Sequence, residues 1–291
     1  MAESGSRSAP NSNGRAGGAS LSKSALRSKR LNPTLAACQT ALRTHPAALL
    51  VDLDGTISEI VEHPELAVVR AGCREALRAL AGRIALVGVL SGRPALEAKG
   101  LVGLDMIDYW GLHGMDFLKD GVASRSREAQ LFEGAVTAAG HELGSWDFGP
   151  GARLEKKGLS VAVHYRGVAD PVAWRLRFLS YLEKVAATQG LEVLEGRKVI
   201  ELRPPGFGKG WCVTTIIQEW RLGAVVYVGD DRTDSEVFQA LREWRHTSGA
   251  RSVSVGVSNP EVAGAWASPP DFAVADVDAV EQLLQDLAVA L

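Results

Sequence analysis

The sequence has few cysteines, few aromatic residues and no long hydrophobic run. Its three cysteines, Cys38, Cys73 and Cys212, are scattered, odd in number and without C-x-x-C spacing, which argues against a disulfide framework and against a zinc site. A reducing cytoplasm therefore fits the chain best. No apolar run approaches the roughly 20 residues that a membrane-spanning helix requires, so we expect no membrane partner.

Aromatic residues make up only 6% of the chain, and the tryptophans show no ladder on which nucleic-acid bases could stack. We therefore expect no nucleic-acid partner. The net charge of -2 hides an asymmetry, because residues 1–46 carry seven basic side chains and one acidic side chain. Since residues 1–30 are rich in Ser, Gly, Ala and Arg and have little to bury, we predict a disordered basic tail over residues 1–46. An organelle transit peptide and a nucleic-acid-binding tail are the alternatives.

The rest of the chain reads as two domains. With 291 residues, 46% of them hydrophobic, it can bury a large core. Strand-like and helical segments alternate on both sides of a middle region, which predicts a parallel sheet built from βαβ units. In order they are strand 48–53, helix 71–81, strand 84–90, helix 210–220, strand 224–228, helix 234–242, strand 252–257 and a helix opening at Asp276. We expect an α/β core with a Rossmann-like parallel sheet, formed by residues 47–121 and 204–291.

The middle region, residues 122–203, has a different pattern. A helix is predicted over 129–143, followed by a strand over 159–165 and a helix that Asp170 and Pro171 open and that ends near Gly190. Strands over 191–194 and 198–202 follow, with a turn at Glu195 and Gly196 between them. An α+β module inserted into an α/β sheet commonly closes over a site, so we interpret this region as a cap domain.

Two aspartates stand at the end of the first predicted strand. Asp52 and Asp54, in V-D-L-D-G-T, are two residues apart and point to the same side of an extended segment. Gly55 lets the backbone turn and approach a ligand closely. The pair could converge on one cation or phosphate, although Asp-Gly-Thr is also typical of a hairpin turn.

Two further segments carry groups that bind anions. Ser91 and Gly92 directly follow strand 84–90, where a hydroxyl and a backbone N–H could bind an anionic oxygen, although Ser-Gly is also a common strand-ending turn. Lys209 heads a helix, where a cation beside the N-terminal amides favours phosphate, and a solvated lysine is the alternative. The spacing around Lys209 is not that of a Walker phosphate loop.

The segment G-D-D-R-T-D places three carboxylates within five positions after another strand. Asp230, Asp231 and Asp234 would repel one another unless a cation or hydrogen bonds compensated their charges. A helix cap formed by Asp231 or Thr233 would need only one such group, so the pattern favours a metal site. Ligands of open parallel sheets bind beyond the carboxyl ends of the strands, which is where this segment and the Asp52 pair both fall.

In this order, the four segments resemble the motifs of the haloacid dehalogenase superfamily of phosphatases. A finer resemblance, to the trehalose-6-phosphate phosphatase family, covers about residues 49–287 and implies that the inserted module is a type IIB cap. It rests on DLDGTISEIVEHPELAVV (52–69), VLSGRP (89–94), GLHGMD (111–116), EKKGLSVAVHYR (155–166), GRKVIELRPP (196–205) and GDDRTDSEVF (229–238).

The resemblance implies a phosphatase mechanism with Mg²⁺ as the cofactor. Asp52 would attack the phosphorus and form an aspartyl-phosphate, while Asp54 would protonate the leaving sugar oxygen and later activate water. Ser91 and Lys209 would hold the transferring oxygens. Within the metal set, Asp54 would act through its backbone carbonyl, and Asp231 and Asp234 would orient the ion's shell or Lys209. The candidate metal set is Asp52, Asp54, Asp230, Asp231 and Asp234.

The sugar requires further donors and acceptors for its hydroxyl groups. By the same resemblance, the expected substrate contacts are Gly92, Arg93, His113, Glu155, Lys157, Glu201 and Arg203. His164 and Arg166 are weaker candidates, and the alternating pattern of strand 159–165 favours a structural role for His164.

The leading hypothesis is a Mg²⁺-dependent phosphatase acting on trehalose 6-phosphate, a small-molecule substrate. A trehalose-6-phosphate synthase is a candidate partner. One alternative is a phosphatase for another sugar phosphate, such as sucrose phosphate or mannosyl-3-phosphoglycerate. A second alternative is a non-catalytic sugar-phosphate sensor, against which the complete set of acidic, serine and lysine motifs argues.

Overall fold

The computed structural model describes residues 32–61, 63–196, 198–258 and 266–291. The helices are α1 (Pro33–Leu42), α2 (Ala71–Ala81), α3 (Ala95–Val102), α4 (Arg127–Gln130), α5 (Glu133–Gly144), α6 (Pro171–Gln189), α7 (Lys209–Glu219), α8 (Asp234–Ser248) and α9 (Val277–Ala290). The strands are β1 (Ala47–Val51), β2 (Leu86–Leu90), β3 (Asp108–Gly111), β4 (Asp116–Lys119), β5 (Val122–Arg125), β6 (Arg153–Lys156), β7 (Val161–His164), β8 (Glu192–Gly196), β9 (Val199–Arg203), β10 (Ala224–Gly229), β11 (Arg251–Val257) and β12 (Phe272–Val274).

The larger sheet has eight strands in the order β12-β11-β10-β1-β2-β3-β4-β5. Strands β12 to β3 run parallel, and β4 and β5 add an antiparallel edge. Every residue of β1 and of β10 is buried, as expected for strands that are covered on both faces. The predicted α/β core with a parallel-dominated sheet is confirmed.

Helices cover both faces of this sheet, and alternate residues of the central strands point to opposite layers. Leu49 and Val51 pack in a cluster with residues of α1, α2, α3 and α9. Leu50 and Tyr227 pack in the other cluster with residues of α7 and α8. Helices α7 and α8 begin at Lys209 and Asp234, and both of these charged side chains are buried. The layer formed by α7 and α8 therefore has a buried charged residue at the start of each helix.

The smaller sheet is antiparallel, with strand order β6-β7-β9-β8. Its Ile200 and Leu202 pack in a cluster with residues of α5 and α6, so the alternating residue Glu201 faces away from these helices. Helix α6 begins as predicted, because Asp170 accepts hydrogen bonds from the N–H groups of Val172 and Ala173 at 3.1 and 3.0 Å. Among the described residues, no helix combines the length and the apolar character needed to cross a membrane.

The predicted tail is partly wrong. Residues 33–42 form α1, and the side chains of Cys38 and Leu42 are completely buried against the core. The buried positions Thr34, Cys38, Ala41 and Leu42 have helical spacing. This signal was missed because residues 33–42, which carry no charge, were grouped with the basic residues on either side of them. The disorder expected for residues 1–30 lies outside the described residues.

The predicted boundaries of the middle region also need correction. Residues 122–125 form β5, which pairs with β4 in the core sheet through a two-residue turn, so the cap does not begin at residue 122. Asp120 and Gly121 both have positive φ in this turn, and Asp-Gly is a strong hairpin signal. Strand β8 continues through Glu195 and Gly196, which were expected to form a turn, and strand β6 has no counterpart in the sequence prediction.

Candidate active site

The predicted catalytic motifs meet at the carboxyl ends of β1, β2 and β10, beside a cavity of about 440 Å³ between the core and the smaller sheet. This volume suits a small-molecule ligand. Asp52, Asp54, Ser91, Lys209 and Asp231 all line the cavity, although they are far apart in sequence. The topology therefore brings the four predicted motifs together.

Asp52 and Lys209 form a buried ion pair at the base of the cavity. The Nζ of Lys209 lies 2.8 Å from Oδ1 of Asp52 and 2.7 Å from Oδ1 of Asp234. Burial raises the pKa of Asp52 well above its ordinary value, and the carboxylates of Asp234 and Asp230 add to this effect while Lys209 opposes it. Burial lowers the pKa of Lys209, but the carboxylates of Asp234, Asp52 and Asp231 together outweigh this effect and hold the pKa well above its ordinary value. Lys209 therefore stays charged.

Asp52, Asp230 and Asp234 place one carboxylate oxygen each within 4.8 Å of one another. Three buried carboxylates beside one ammonium leave an excess of negative charge, and hard oxygen donors of this kind suit a divalent cation such as Mg²⁺. The residues present therefore fit a metal ion.

Asp234 is, however, fully occupied by hydrogen bonds. Its Oδ1 accepts from Lys209 and, at 2.5 Å, from the hydroxyl of Tyr227. Its Oδ2 accepts from the backbone N–H groups of Asp230 and Asp231 at 2.8 and 2.9 Å. Because a carboxylate has about four lone-pair sites, these four bonds suit a residue that orients its neighbours, which is the role that the family resemblance implies for Asp234. Its membership of the candidate metal set stays a prediction.

Asp231 caps the start of α8. Its Oδ1 accepts hydrogen bonds from the N–H and hydroxyl of Thr233, at 2.8 and 2.7 Å, and from the N–H of Asp234 at 3.2 Å. The capping role considered as an alternative for Asp231 is therefore present. It coexists with a position on the cavity wall.

Gly55 brings the backbone of the first motif against Asp230. Its φ is +85°, and a Cβ added there would lie 2.0 Å from Oδ2 of Asp230. Only glycine fits this approach without a shift. The two loops that follow β1 and β10 are therefore in direct contact at the candidate metal site.

The second motif, Ser91-Gly92-Arg93, contacts Asp54 through the side chain of Arg93. Ser91 is almost completely buried, and its Oγ accepts a hydrogen bond from the N–H of Arg93 at 3.1 Å. Arg93 donates from Nε and Nη2 to the two oxygens of Asp54 at 2.7 and 2.8 Å. The predicted substrate contact Arg93 thus binds the predicted general acid.

His113 lies in a strained loop beside this motif. Leu112, His113 and Gly114 have φ values of 49°, 60° and 98°, which are unusual for the two residues with side chains. The loop is attached to the second motif, because the N–H of His113 donates to the carbonyl of Ser91 at 3.1 Å. His113 is buried and lines the cavity.

Lys157 and Glu201 connect the smaller sheet to the core. The Nζ of Lys157 lies 3.5 Å from Oε2 of Glu201 and 3.4 Å from the carbonyl oxygen of Gly92, and Nε2 of His113 lies 3.8 Å from the same Glu201 oxygen. Burial opposes the ionisation of Glu201, but Lys157, His113 and Ser160 outweigh it and hold the pKa of Glu201 well below its ordinary value. Predicted sugar contacts from the smaller sheet and from the loops of the larger sheet therefore meet here.

Glu155 and His164 form a second pair on the cavity wall. The Nε2 of His164 lies 2.6 Å from Oε2 of Glu155, and this contact holds the pKa of Glu155 below its ordinary value. His164 and Arg166, the weaker substrate candidates, both line the cavity, although a structural role was favoured for His164. The side chain is on the face opposite to Val163, which packs in the helix-covered cluster.

Arg203 does not line the cavity. Its Nε donates to Oε1 of Glu192 at 2.8 Å, and the side chain is almost completely buried. Strand pairing explains the difference, because Glu192 is directly opposite Arg203 in neighbouring strands. The prediction of Arg203 as a cavity residue is wrong.

Tyr227 was missed by sequence reasoning. It lies within an apolar strand, where packing alone accounts for a tyrosine ring. The available signal was the hydroxyl, since a buried Tyr O–H nearly always has a hydrogen-bond partner. The location of that partner could not be read from the sequence.

Comparisons with known proteins show what the chain is similar to. The family described as Trehalose-phosphatase matches residues 50–278. An uncharacterised glycosyl hydrolase of Mycobacterium tuberculosis is 37% identical over 207 residues, which are 67% of this chain and 15% of the relative. A trehalose-phosphate phosphatase of Mycobacterium avium is 37% identical over 210 residues, which are 68% of this chain and 52% of the relative.

A solved structure of a trehalose-6-phosphate phosphatase related protein superposes with a TM-score of 0.69 and 26% identity. The match covers 83% of this chain and 97% of that structure. By contrast, the chain spans about half the length of the curated trehalose-phosphate phosphatase from Mycobacterium avium.

Proposed function

The chain belongs to the trehalose-phosphatase family, and we propose that it hydrolyses trehalose 6-phosphate to trehalose and inorganic phosphate with the help of Mg²⁺. One observation carries this proposal: Asp52 lies at the base of a ligand-sized cavity with Lys209 at 2.8 Å and Asp230 beside it. A nucleophilic carboxylate needs such compensation, because it must approach a phosphate that is itself negatively charged.

In the first step, a carboxylate oxygen of Asp52 attacks the phosphorus while the bond from phosphorus to the sugar oxygen breaks. The products are an aspartyl-phosphate and trehalose. Asp54 delivers a proton to the departing sugar oxygen. Lys209 and Ser91, which both line the cavity, donate hydrogen bonds to the transferring oxygens and stabilise their charge.

In the second step, water attacks the phosphorus of the aspartyl-phosphate and Asp54 takes up its proton. The bond from phosphorus to Asp52 breaks, which releases inorganic phosphate and restores the carboxylate. Asp52, Asp230 and the backbone carbonyl of Asp54 would hold Mg²⁺. The ion, when bound, would offset the negative charge that the carboxylates and the phosphate bring together.

The cap supplies the sugar contacts in this proposal. Glu155, Lys157 and Glu201 line the same cavity as Asp52, and their charged groups suit hydroxyl donors and acceptors. Lys157 reaches the carbonyl oxygen of Gly92 in the core, so a sugar held by Lys157 and Glu201 would lie close to the second motif.

We place the activity in the cytoplasm, because the three cysteines are buried and free of disulfides. In this proposal, a trehalose-6-phosphate synthase is the partner that supplies the substrate.

The test is phosphate release from a panel of sugar phosphates, with Mg²⁺ and with EDTA. We expect release from trehalose 6-phosphate with Mg²⁺ and little release with EDTA. The panel includes sucrose 6-phosphate and mannosyl-3-phosphoglycerate. Turnover of either compound without turnover of trehalose 6-phosphate would overturn the substrate assignment.

Asp52→Asn tests the nucleophile, with Asp108→Asn as a matched control. Asp108 is another buried aspartate of the core, and its Oδ1 accepts a hydrogen bond from the N–H of Asp120 at 3.2 Å. We expect both variants to fold. Asp52→Asn should have no measurable turnover, whereas Asp108→Asn should remain active. Turnover by Asp52→Asn at the parent rate would show that another group attacks the phosphorus.

A further inference from the structure

Tyr227 is a fully buried tyrosine in β10 whose hydroxyl lies at the catalytic end of the sheet. Its ring packs in the cluster that includes Leu50 and Phe238. The hydroxyl donates a 2.5 Å hydrogen bond to Oδ1 of Asp234. Burial and the negative charge of Asp234 hold the pKa of Tyr227 well above its ordinary value, so the hydroxyl keeps its proton and remains a donor.

The same oxygen of Asp234 also accepts the hydrogen bond from Lys209, whose Nζ lies 2.8 Å from Asp52. A continuous chain of contacts therefore runs from the Tyr227 hydroxyl through Asp234 and Lys209 to Asp52. Three elements contribute to it, since Tyr227 is on β10, Lys209 is the first residue of α7 and Asp234 is the first residue of α8.

We infer that Tyr227 is a positioning residue for phosphoryl transfer, because its hydroxyl fixes the Asp234 carboxylate that holds Lys209 against Asp52. The inference rests on the proposed function, since it takes Asp52 as the nucleophile. Tyr227 is not among the described residues that line the cavity. It therefore acts through Asp234 and does not touch the substrate.

Removal of the hydroxyl should affect the chemical step more than substrate binding. Without it, the Oδ1 of Asp234 keeps only Lys209 as a donor, while its Oδ2 stays anchored by two backbone N–H groups. The carboxylate can then rotate about this anchor and carry the ammonium of Lys209 with it. A small displacement of a charged group in a buried site weakens its stabilisation of the transition state. The sugar contacts on the cap remain unchanged.

The experiment compares Tyr227→Phe with Tyr109→Phe in the full chain. Both variants remove one hydroxyl from a completely buried tyrosine of the core sheet. The hydroxyl of Tyr109 donates at 2.7 Å to the carbonyl oxygen of Leu104, away from the cavity. The measurements are kcat and KM for trehalose 6-phosphate, inhibition by orthovanadate, which mimics the five-coordinate transition state, and the thermal midpoint.

For Tyr227→Phe we expect kcat to fall about tenfold, which corresponds to about 1.4 kcal/mol, with KM within twofold of the parent value. The inhibition constant of orthovanadate should rise by a similar factor. Tyr109→Phe should change neither constant by more than twofold. The inference is overturned by parent-like kcat in Tyr227→Phe, by equal losses in both variants, or by unfolding of Tyr227→Phe alone, which would make the hydroxyl purely structural.

Asp52→Asn separates this inference from the proposed function. If Asp52→Asn loses turnover while Tyr227→Phe keeps the parent kcat, only the positioning role of Tyr227 is refuted. If Asp52→Asn keeps full turnover, the assignment of Asp52 as the nucleophile is refuted, and the positioning role of Tyr227 is refuted with it.

Discussion

Arg93 binds both carboxylate oxygens of Asp54, with Nε 2.7 Å from Oδ2 and Nη2 2.8 Å from Oδ1. Such bidentate pairs are strong and fix geometry. The guanidinium also donates to Glu97 and, at 2.9 Å, to the carbonyl oxygen of Pro64. Both oxygens of Asp54 thus accept hydrogen bonds from Arg93, which fixes the orientation of the carboxylate.

This relationship predicts that Arg93→Ala impairs acid–base catalysis. Removal of the guanidinium leaves Asp54 without its fixed orientation, and we expect kcat to fall by about 10²-fold, the lower end of the range for acid–base groups. Steady-state kinetics with trehalose 6-phosphate measure the effect.

Arg74→Ala is the control for Arg93→Ala. Arg74 is a partly buried arginine that donates to the carbonyl oxygens of Val102 and Leu101 at 2.6 and 3.2 Å. We expect it to lower the thermal midpoint and to leave kcat unchanged. Equal kinetic losses in the two variants would show that Arg93 acts through stability.

Gly55→Ala should weaken Mg²⁺ binding. The new Cβ would lie 2.0 Å from Oδ2 of Asp230, so the carboxylate must move away from the position that we assign to a metal ligand. We expect the Mg²⁺ concentration for half-maximal activity to rise by about tenfold, as for other changes beside metal ligands. The Mg²⁺-induced rise in the thermal midpoint should shrink in parallel.

Gly121→Ala is the matched control for this substitution. Gly121 has a φ of +78°, close to the +85° of Gly55, but a Cβ there meets no atom within 4 Å. The control should therefore show only the cost of a left-handed residue, about 1–2 kcal/mol of unfolding free energy. Parent-like Mg²⁺ dependence in both variants would contradict a metal site at Asp230.

The core of the fold was predictable because the spacing of hydrophobic residues within each short segment indicates a helix or a strand. Residues 71–81 were predicted as a helix and form α2 with the same bounds. The candidate site was predictable to the level of Asp52, Ser91 and Lys209, since parallel strands bring their carboxyl ends to one edge. Helix α1 was missed because its uncharged residues were grouped with the basic residues on either side of it, which outweighed its helical spacing.

The pairing of polar side chains was not predictable, because it depends on contacts between residues distant in sequence. Strand alternation places Arg203 on the same face as Glu201, but a glutamate on the neighbouring strand binds it. Likewise, no signal in the neighbouring sequence indicates that Arg93 binds Asp54 or that Tyr227 binds Asp234 at the start of α8.

His164→Ala should weaken substrate binding more than turnover. His164 holds Glu155 at 2.6 Å on the cavity wall, and its removal frees a side chain that we assign to a sugar hydroxyl. We expect KM to rise about threefold to tenfold, as for the loss of one hydrogen bond of about 1 kcal/mol, with kcat within twofold. His141→Ala, an exposed histidine on α5, should leave both constants unchanged. A lower kcat with the parent KM would contradict the assignment.

Glu201→Gln should remove a contribution to stability that depends on pH. The pKa of Glu201 is held well below its ordinary value, so the folded protein gains stability from the carboxylate above the unfolded pKa of about 4.3. This gain is lost as the pH falls through the folded pKa. At pH 7 we expect the variant to lose about 3–5 kcal/mol, because Lys157 then lacks its buried partner.

Urea unfolding of the parent and of Glu201→Gln at pH 7, 5, 4 and 3 measures this dependence. The difference in unfolding free energy should be constant from pH 7 to 5 and should shrink below the unfolded pKa, because the parent carboxylate then takes up a proton more readily in the unfolded chain. Glu219→Gln, which breaks a surface pair with Lys119, should change stability by less than about 1 kcal/mol at every pH. A difference for Glu201→Gln that stays constant down to pH 3 would show that the carboxylate is not stabilised by Lys157 and His113, and that the contact between the smaller sheet and the rest of the chain depends on shape alone.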